Sequence, residues 1–141
     1  MMLLKMKLTI LILLISASLK APSYPAIVIP AGEVINGYEA IWKAICQVES
    51  SGNRFAIGDK HLKEKSYGIV QLRQVKLDWY YKRTGIKYSI KDCYKVSVSK
   101  EIFMYHMNQY SDVDEAIKKW NGSGKQTYIY LAKVKKELLS L

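Results

Sequence analysis

The hydrophobic positions of this chain repeat mainly with the period of an α-helix. The clearest case covers residues 35–50, where Tyr38, Trp42, Ile45 and Glu49 fall within roughly 60° of each other around the predicted helix. A carboxylate therefore sits inside an apolar stripe, one turn from the predicted helix end. A Gly-Asn pair shortly afterwards supplies a helix stop signal.

Farther along the chain, the same periodicity predicts more helical segments, each with a local capping residue. The segments are a helix over 73–84, one turn over 89–94, a helix to about Tyr110, a helix ending at Trp120, and a last helix from Thr127. The predicted caps are Gly85 at the first C-terminus, Ser89 with Asp92 as a capping box, Ser97 or Ser99, Ser111 or Asp112, and Thr127.

Two stretches depart from the helical pattern. Residues 56–65 are polar and rich in turn formers, which predicts a loop or a short β-hairpin. Residues 22–32 contain all three prolines of the chain and indicate an extended leader. The predicted fold class is therefore α+β, mostly helical, with a small β element.

The position of Glu49 suggests acid–base chemistry. A carboxylate in apolar surroundings is costly as an anion, so we expect its pKa to rise. A carboxylic acid that keeps its proton near neutral pH can act as a general acid. The alternative is a Glu at a helix end that turns outward or pairs with a Lys.

The N-terminus has the layout of a secretory signal peptide. Lys5 and Lys7 precede an apolar run over residues 8–15, which small residues follow, and this run is short for a membrane span of about 20 residues. An uncleaved anchor is the alternative. We expect an exported protein, periplasmic or extracellular. The predicted organisation is a signal peptide over 1–18, an extended leader over 19–33, and one domain over 34–141.

The charge balance is strongly basic, with a formal net charge of +10. Loss of Lys5 and Lys7 with a signal peptide would leave it basic. Such a surface favours an anionic polymer as partner. Export favours the cell wall or an anionic envelope surface over nucleic acid, and a solvated basic surface without a specific partner is the alternative.

The two cysteines leave two alternatives open. An exported protein can join Cys46 and Cys93 in a disulfide, which would tie the Glu49 helix to a downstream segment. Both can equally be buried free thiols. His61 and His106 do not complete a zinc-binding pattern with them, so we predict no metal and no cofactor.

Four stretches resemble motifs of one enzyme family. Residues 49–56 begin with Glu-Ser, and residues 67–71 are similar to a Gly-Leu-Met-Gln motif, with Val70 at the Met position. Residues 119–124 are similar to Ala-Tyr-Asn-x-Gly, and 127–134 to a last helix. These are motifs of the soluble lytic transglycosylase (SLT) family of the lysozyme-like superfamily. The resemblance implies a lysozyme-like fold with a small β-hairpin beside the active-site groove.

The same resemblance implies a set of site residues. It makes Glu49 the catalytic acid/base. It places substrate-binding residues at Ser50, Tyr67, Gly68, Gln71, Trp120, Asn121 and Tyr130. A glycine lets backbone approach the substrate closely, and a glutamine offers both a donor and an acceptor.

Several of these residues also have a purely structural explanation. Ser50 can simply cap its helix, Gly68 can be a turn residue, and Trp120 can belong to the core instead of stacking on a sugar. Tyr130 is expected to reach Glu49. A shifted register would give that contact to Tyr128.

Three functions follow as hypotheses. A lytic transglycosylase would cleave peptidoglycan glycan strands with one catalytic Glu, forming a 1,6-anhydro product. A muramidase would use Asp59 as a second carboxylate, because goose-type lysozymes carry an Asp in this turn-rich segment, whereas the Asp of chicken-type lysozymes is replaced here by Ser66. Asp59 can also be a turn residue. A non-catalytic wall protein would only bind glycan. The expected partner is peptidoglycan, without nucleic acid, and a monomer is expected.

Overall fold

The computed structural model describes residues 26–28 and 34–141. The predicted signal peptide and most of the predicted leader lie outside the described residues. Strand β1 (Ala26–Val28) pairs antiparallel with strand β2 (Val34–Asn36). This pairing moves the start of the first helix two residues past the predicted position, to Gly37.

The described chain is mostly helical, and this confirms the predicted α+β class. After the first two strands, the elements in chain order are α1 (Gly37–Ser50), β3 (Ile57–Gly58), β4 (Ser66–Tyr67), α2 (Gln74–Thr84), a 3-10 helix (Ile90–Tyr94), α3 (Val96–Met107), α4 (Val113–Asn121) and α5 (Gln126–Leu138). Of the loop or short β-hairpin predicted for the polar stretch, the structure has the hairpin: β3 and β4 pair antiparallel, with Ile57 opposite Tyr67, although β4 lies just after residue 65.

Helix α1 is the centre of the core and packs against α3 and α5. Its residues Ile41, Ala44 and Ile45 are fully buried, because apolar side chains occupy more than one face of this helix. Burial of a large aliphatic side chain stabilises a fold by about 1.5–3 kcal/mol. The helix that carries Glu49 is therefore held firmly in place.

Several predicted caps are confirmed. Gly85 ends α2 in the left-handed conformation, with φ of 75°, and its N–H donates to the Tyr81 carbonyl. Ser89 and Asp92 form the predicted capping box. Asp112 caps α4 by accepting from the Glu115 N–H at 2.8 Å.

Two other predicted caps are wrong. Helix α3 begins at Val96, before Ser97 and Ser99, and the buried Ser99 hydroxyl donates instead to the Cys93 carbonyl at 3.0 Å. Helix α5 begins at Gln126, so Thr127 lies inside its first turn. The Thr127 hydroxyl donates to the Gly124 carbonyl and accepts no helix N–H.

Cys46 and Cys93 are buried free thiols, so the structure does not contain the disulfide considered from the sequence. The Cys93 sulfur lies 3.9 Å from the Ser89 carbonyl of its own 3-10 helix. Burial raises the pKa of Cys93 to about 11, and that of Cys46 to about 12, which keeps both thiols neutral. None of the helices in the described part of the chain has the length and apolar character to cross a membrane.

Candidate active site

A cavity of about 660 Å³ opens between the end of α1, the β3–β4 hairpin, the start of α2 and the end of α4. Five residues singled out from the sequence line it: Glu49, Asp59, Gln71, Trp120 and Asn121. Segments far apart in sequence thus meet around one concave surface large enough for sugar rings. Ser50, Tyr67, Gly68 and Tyr130 are not among the lining residues.

Glu49 turns inward from the last turn of α1 and is partly buried. Its Oε1 accepts a hydrogen bond of 2.7 Å from the Tyr130 hydroxyl. Burial raises the pKa of Glu49 to about 7, helped by the charge of Asp59. The Tyr130 hydrogen bond and the charge of Arg73 act in the opposite direction. Near neutral pH the side chain is therefore available in both protonation states.

Tyr130 reaches Glu49 from α5, the helix that packs on α1. It is buried and lies on the same face of α5 as the fully buried Val134, four residues later. Tyr128, the alternative considered for this contact, points away and is 65% exposed. Burial and the adjacent Glu49 raise the pKa of Tyr130, so its hydroxyl stays a donor.

Gln71 holds the β3–β4 hairpin together. Its Oε1 accepts from the buried Ser66 hydroxyl at 2.7 Å, and its Nε2 donates to the carbonyls of Gly68 at 2.8 Å and Ala56 at 3.4 Å. Both amide hydrogens are used within the protein, and one lone pair of Oε1 remains for a ligand. The amide shapes the cavity wall more than it offers free donors to a sugar.

The lack of a side chain at Gly68 allows a close approach within the protein itself, to the backbone of Cys93. Its φ is +80°, and a Cβ at this position would overlap the Cys93 carbonyl oxygen. The approach of backbone to substrate at Gly68 stays a prediction. The glycine lets the hairpin loop pack against the end of the 3-10 helix.

Ser50 and Tyr67 also act on the scaffold of the site. The Ser50 hydroxyl donates to the Ile69 carbonyl at 2.8 Å, which ties the end of α1 to the loop after β4. The Tyr67 ring packs edge-on against Tyr94, with 6.2 Å between ring centroids. Both residues therefore position the walls of the cavity.

Asp59 faces the cavity with a positive φ of 51° and forms an ion pair with Arg73, at 2.6 Å between Oδ2 and Nη2. Burial works to raise the pKa of Asp59, but the hydrogen bond and the positive charge of Arg73 outweigh it and hold the pKa below its usual value. Asp59 is therefore an anion whose charge is largely matched by its partner.

The C-terminal end of α4 forms the wall opposite the hairpin. Trp120 is only 7% exposed, and its ring packs edge-on against Phe103 and His106, so most of it belongs to the core. Its remaining edge lines the cavity. Asn121 is exposed at the cavity rim, where its amide is free to meet a ligand.

Sequence analysis missed two basic residues of the cavity, Arg73 and Lys76. A signal for them exists in the sequence, since Arg73, Lys76 and Trp79 follow one another at spacings of three residues and share one face at the start of α2. Within the described residues, no cluster of three or more metal-ligating side chains occurs.

The chain was compared with protein families, curated proteins and solved structures. A family model described as "Transglycosylase SLT domain" matches residues 29–137. No curated protein matched the chain. No solved structure did so either. With three quarters of the chain covered and a helical, hairpin-bearing fold around a cavity that contains a partly buried glutamate, this protein belongs to the transglycosylase SLT domain family, lysozyme-like enzymes that act on the glycan of peptidoglycan.

Proposed function

We propose that the protein is a peptidoglycan lytic transglycosylase with Glu49 as its single general acid/base. The observation that carries this proposal is a partly buried carboxyl group with a pKa of about 7 that faces a cavity of sugar size and is held by a phenol. We further propose that export to the periplasm or the cell exterior brings the enzyme to its substrate.

The reaction begins with protonated Glu49. Its proton passes to the bridging oxygen between N-acetylmuramic acid and N-acetylglucosamine as the bond from the anomeric carbon to that oxygen breaks. The resulting carboxylate then takes the proton of the muramic acid C6 hydroxyl, whose oxygen bonds to the anomeric carbon. The products are a 1,6-anhydro end and a free sugar hydroxyl, and no water is consumed.

The surroundings of Glu49 suit both halves of this cycle. Burial favours the neutral acid needed for the first step, whereas the Tyr130 hydroxyl favours the carboxylate that the first step leaves behind. A proton affinity balanced near neutral pH makes one residue an effective donor and an effective acceptor.

The test is Glu49→Gln, assayed on purified cell walls. Glutamine keeps the size and the contact with Tyr130 but carries no transferable proton, so we expect the cleavage rate to fall by about 10²- to 10⁴-fold. Glu137→Gln, near the end of α5 and outside the cavity, is the matched control. No clearance by wild type, with Glu49→Gln indistinguishable from it, would instead support a non-catalytic glycan-binding protein.

A muramidase is the second candidate, because Asp59 lines the same cavity as Glu49. Hydrolysis needs a base or a nucleophile as a second carboxylate. The Arg73 ion pair and the low pKa make Asp59 a weak base, which favours transglycosylation. Mass spectrometry of the products decides: the anhydro product is lighter by one water, and only hydrolysis leaves a reducing end.

A further inference from the structure

Lys76 is a partly buried cation on the cavity wall, projecting from α2. Its Nζ lies 4.8 Å from the ring centroid of Trp120 and 5.2 Å from that of Trp79. The two rings hold the ammonium by cation–π attraction. The side chain is therefore fixed in the site, unlike a mobile surface lysine.

The third neighbour of Lys76 is a neutral histidine. His106 Nε2 lies 2.8 Å from the Ala116 carbonyl, which can only accept, so Nε2 carries the proton. That leaves Nδ1 as an acceptor for the Lys76 ammonium at 3.4 Å. Burial and the neighbouring Lys76 lower the pKa of His106 to about 4, so it supplies no charge.

On the α2 side of the cavity, the positive charge of Lys76 is not matched by an anion among the described residues. Asp59 is paired with Arg73, and Glu49 accepts its hydrogen bond from Tyr130. None of the ion pairs found among the described residues includes Lys76. An ammonium has three donors, and one long bond to His106 does not use them all.

A desolvated cation without an anion costs free energy, and a ligand that brings an anion into the cavity recovers part of that cost. We propose that Lys76 binds a carboxylate of the glycan strand and gives the enzyme a preference for strands that carry one in the cavity. This inference rests on the proposed action on peptidoglycan. Two sources share the chemistry: the lactyl carboxylate of muramic acid freed by removal of the stem peptide, and a carboxylate of the stem peptide itself.

Burial also lowers the pKa of Lys76 to about 8, so the side chain is still mostly protonated at neutral pH. The exposed Lys119 lies on the same cavity wall and adds positive potential, but water screens its charge more strongly. The partly buried ammonium is therefore the stronger determinant of the two.

The experiment compares Lys76→Met with wild type on four substrates, using initial rates at low substrate concentration as kcat/KM. The substrates are strands without stem peptides, the same strands with their carboxylates amidated, strands with intact stem peptides, and those strands amidated. Methionine keeps the apolar packing between the two tryptophans. Lys82→Met, an equal charge change on the exposed far end of α2, is the matched control.

We expect Lys76→Met to lower the ratio of kcat/KM between carboxylate and amidated strands by about tenfold, a change equivalent to roughly 1.4 kcal/mol. Lys76→Arg keeps the charge and should restore much of the ratio. An effect confined to peptide-free strands identifies the lactyl carboxylate, and one confined to peptide-bearing strands identifies the stem peptide.

Equal loss on charged and amidated strands would overturn the inference and leave Lys76 as a structural residue. That outcome differs from failure of the proposed function itself. In the latter case the wild-type protein would cleave none of the four substrates, and Glu49→Gln would behave as wild type.

Discussion

At Glu49, two opposing influences on one carboxyl group set its affinity for a proton. Burial at the cavity wall disfavours the anion, whereas the hydroxyl of Tyr130 stabilises it. The pKa of about 7 reflects the balance between them, in which burial dominates. The pair of residues therefore acts as a unit, and its pH response can be changed through the partner.

Replacement of Tyr130 by Phe should move the pH profile upward. The lost hydrogen bond favoured the carboxylate, so its removal raises the pKa of Glu49 further above its ordinary value. A general acid loses activity as pH rises through its pKa, so the basic limb of kcat/KM should shift by about one pH unit to higher pH. Activity measured against pH on glycan strands checks this shift.

The matched control for this prediction is Tyr128→Phe, which removes a hydroxyl from the exposed face of the same helix. Its profile should coincide with that of wild type. A basic limb that stays in place in Tyr130→Phe, or moves to lower pH, would contradict the assignment of Glu49 as the acid.

The inward orientation of Glu49 is predictable from sequence because local helical geometry fixes it relative to Trp42 and Ile45. The position of Lys76 between two tryptophans and a histidine is not predictable from sequence. In the sequence it is one lysine among many, and its position depends on His106, 30 residues away, and on Trp120. Tertiary packing of three helices creates this site, and periodicity within one helix does not contain that information.

At the scale of elements, the β3–β4 hairpin forms one side of the site through side-chain bonds as much as through strand pairing. The strands contain only two residues each. The Gln71 side chain adds hydrogen bonds to Ser66, Gly68 and Ala56, which supplement the few bonds between the strands. The position of the hairpin relative to the helices depends in turn on its contact with the 3-10 helix.

That contact makes Gly68 sensitive to substitution. In Gly68→Ala, the new methyl group would meet the Cys93 carbonyl in a backbone conformation with φ of +80°. We expect a loss of about 3 kcal/mol in the free energy of unfolding, from both the steric conflict and the strained backbone. Urea denaturation followed by circular dichroism measures it.

The variant Gly85→Ala separates the steric conflict from the backbone strain. Gly85 has nearly the same φ, 75°, but open space where a Cβ would lie. This variant should lose only about 1 kcal/mol, the cost of the left-handed conformation alone. Equal losses for the two variants would show that the contact with the 3-10 helix is not what constrains Gly68.

Helix ends show where sequence rules succeed and where they fail. Asp112 and Gly85 act locally, with partners within four residues, and both were predictable. Serine often caps helices, yet the buried Ser99 hydroxyl donates a hydrogen bond to the Cys93 carbonyl instead. Helix α3 starts earlier because the preceding 3-10 helix leads directly into it. Local capping rules do not anticipate a partner six residues upstream in the preceding 3-10 helix.

At the scale of the whole molecule, the ionisation of Glu49, the proposed catalytic group, works against the stability of the fold. The ordinary pKa of a glutamate is 4.5, and in the folded protein that of Glu49 is about 7. Between these values the folded chain holds a proton that the unfolded chain has released, so rising pH favours unfolding. The cost is absent below about pH 4.5, grows to about pH 7, and is complete above it.

Glu49→Gln should therefore stabilise the protein while it abolishes activity. Glutamine is neutral at every pH, so the variant avoids the cost of ionising a buried Glu49, which amounts to as much as about 3 kcal/mol for a rise in pKa from 4.5 to about 7. In urea denaturation, the variant should match wild type at pH 4 and exceed it in unfolding free energy at pH 8. Glu137→Gln removes the same charge outside the cavity and should show no comparable gain. A Gln variant no more stable than wild type at pH 8 would mean that Glu49 ionises without penalty, and the argument for a proton donor at this position would lose its physical basis.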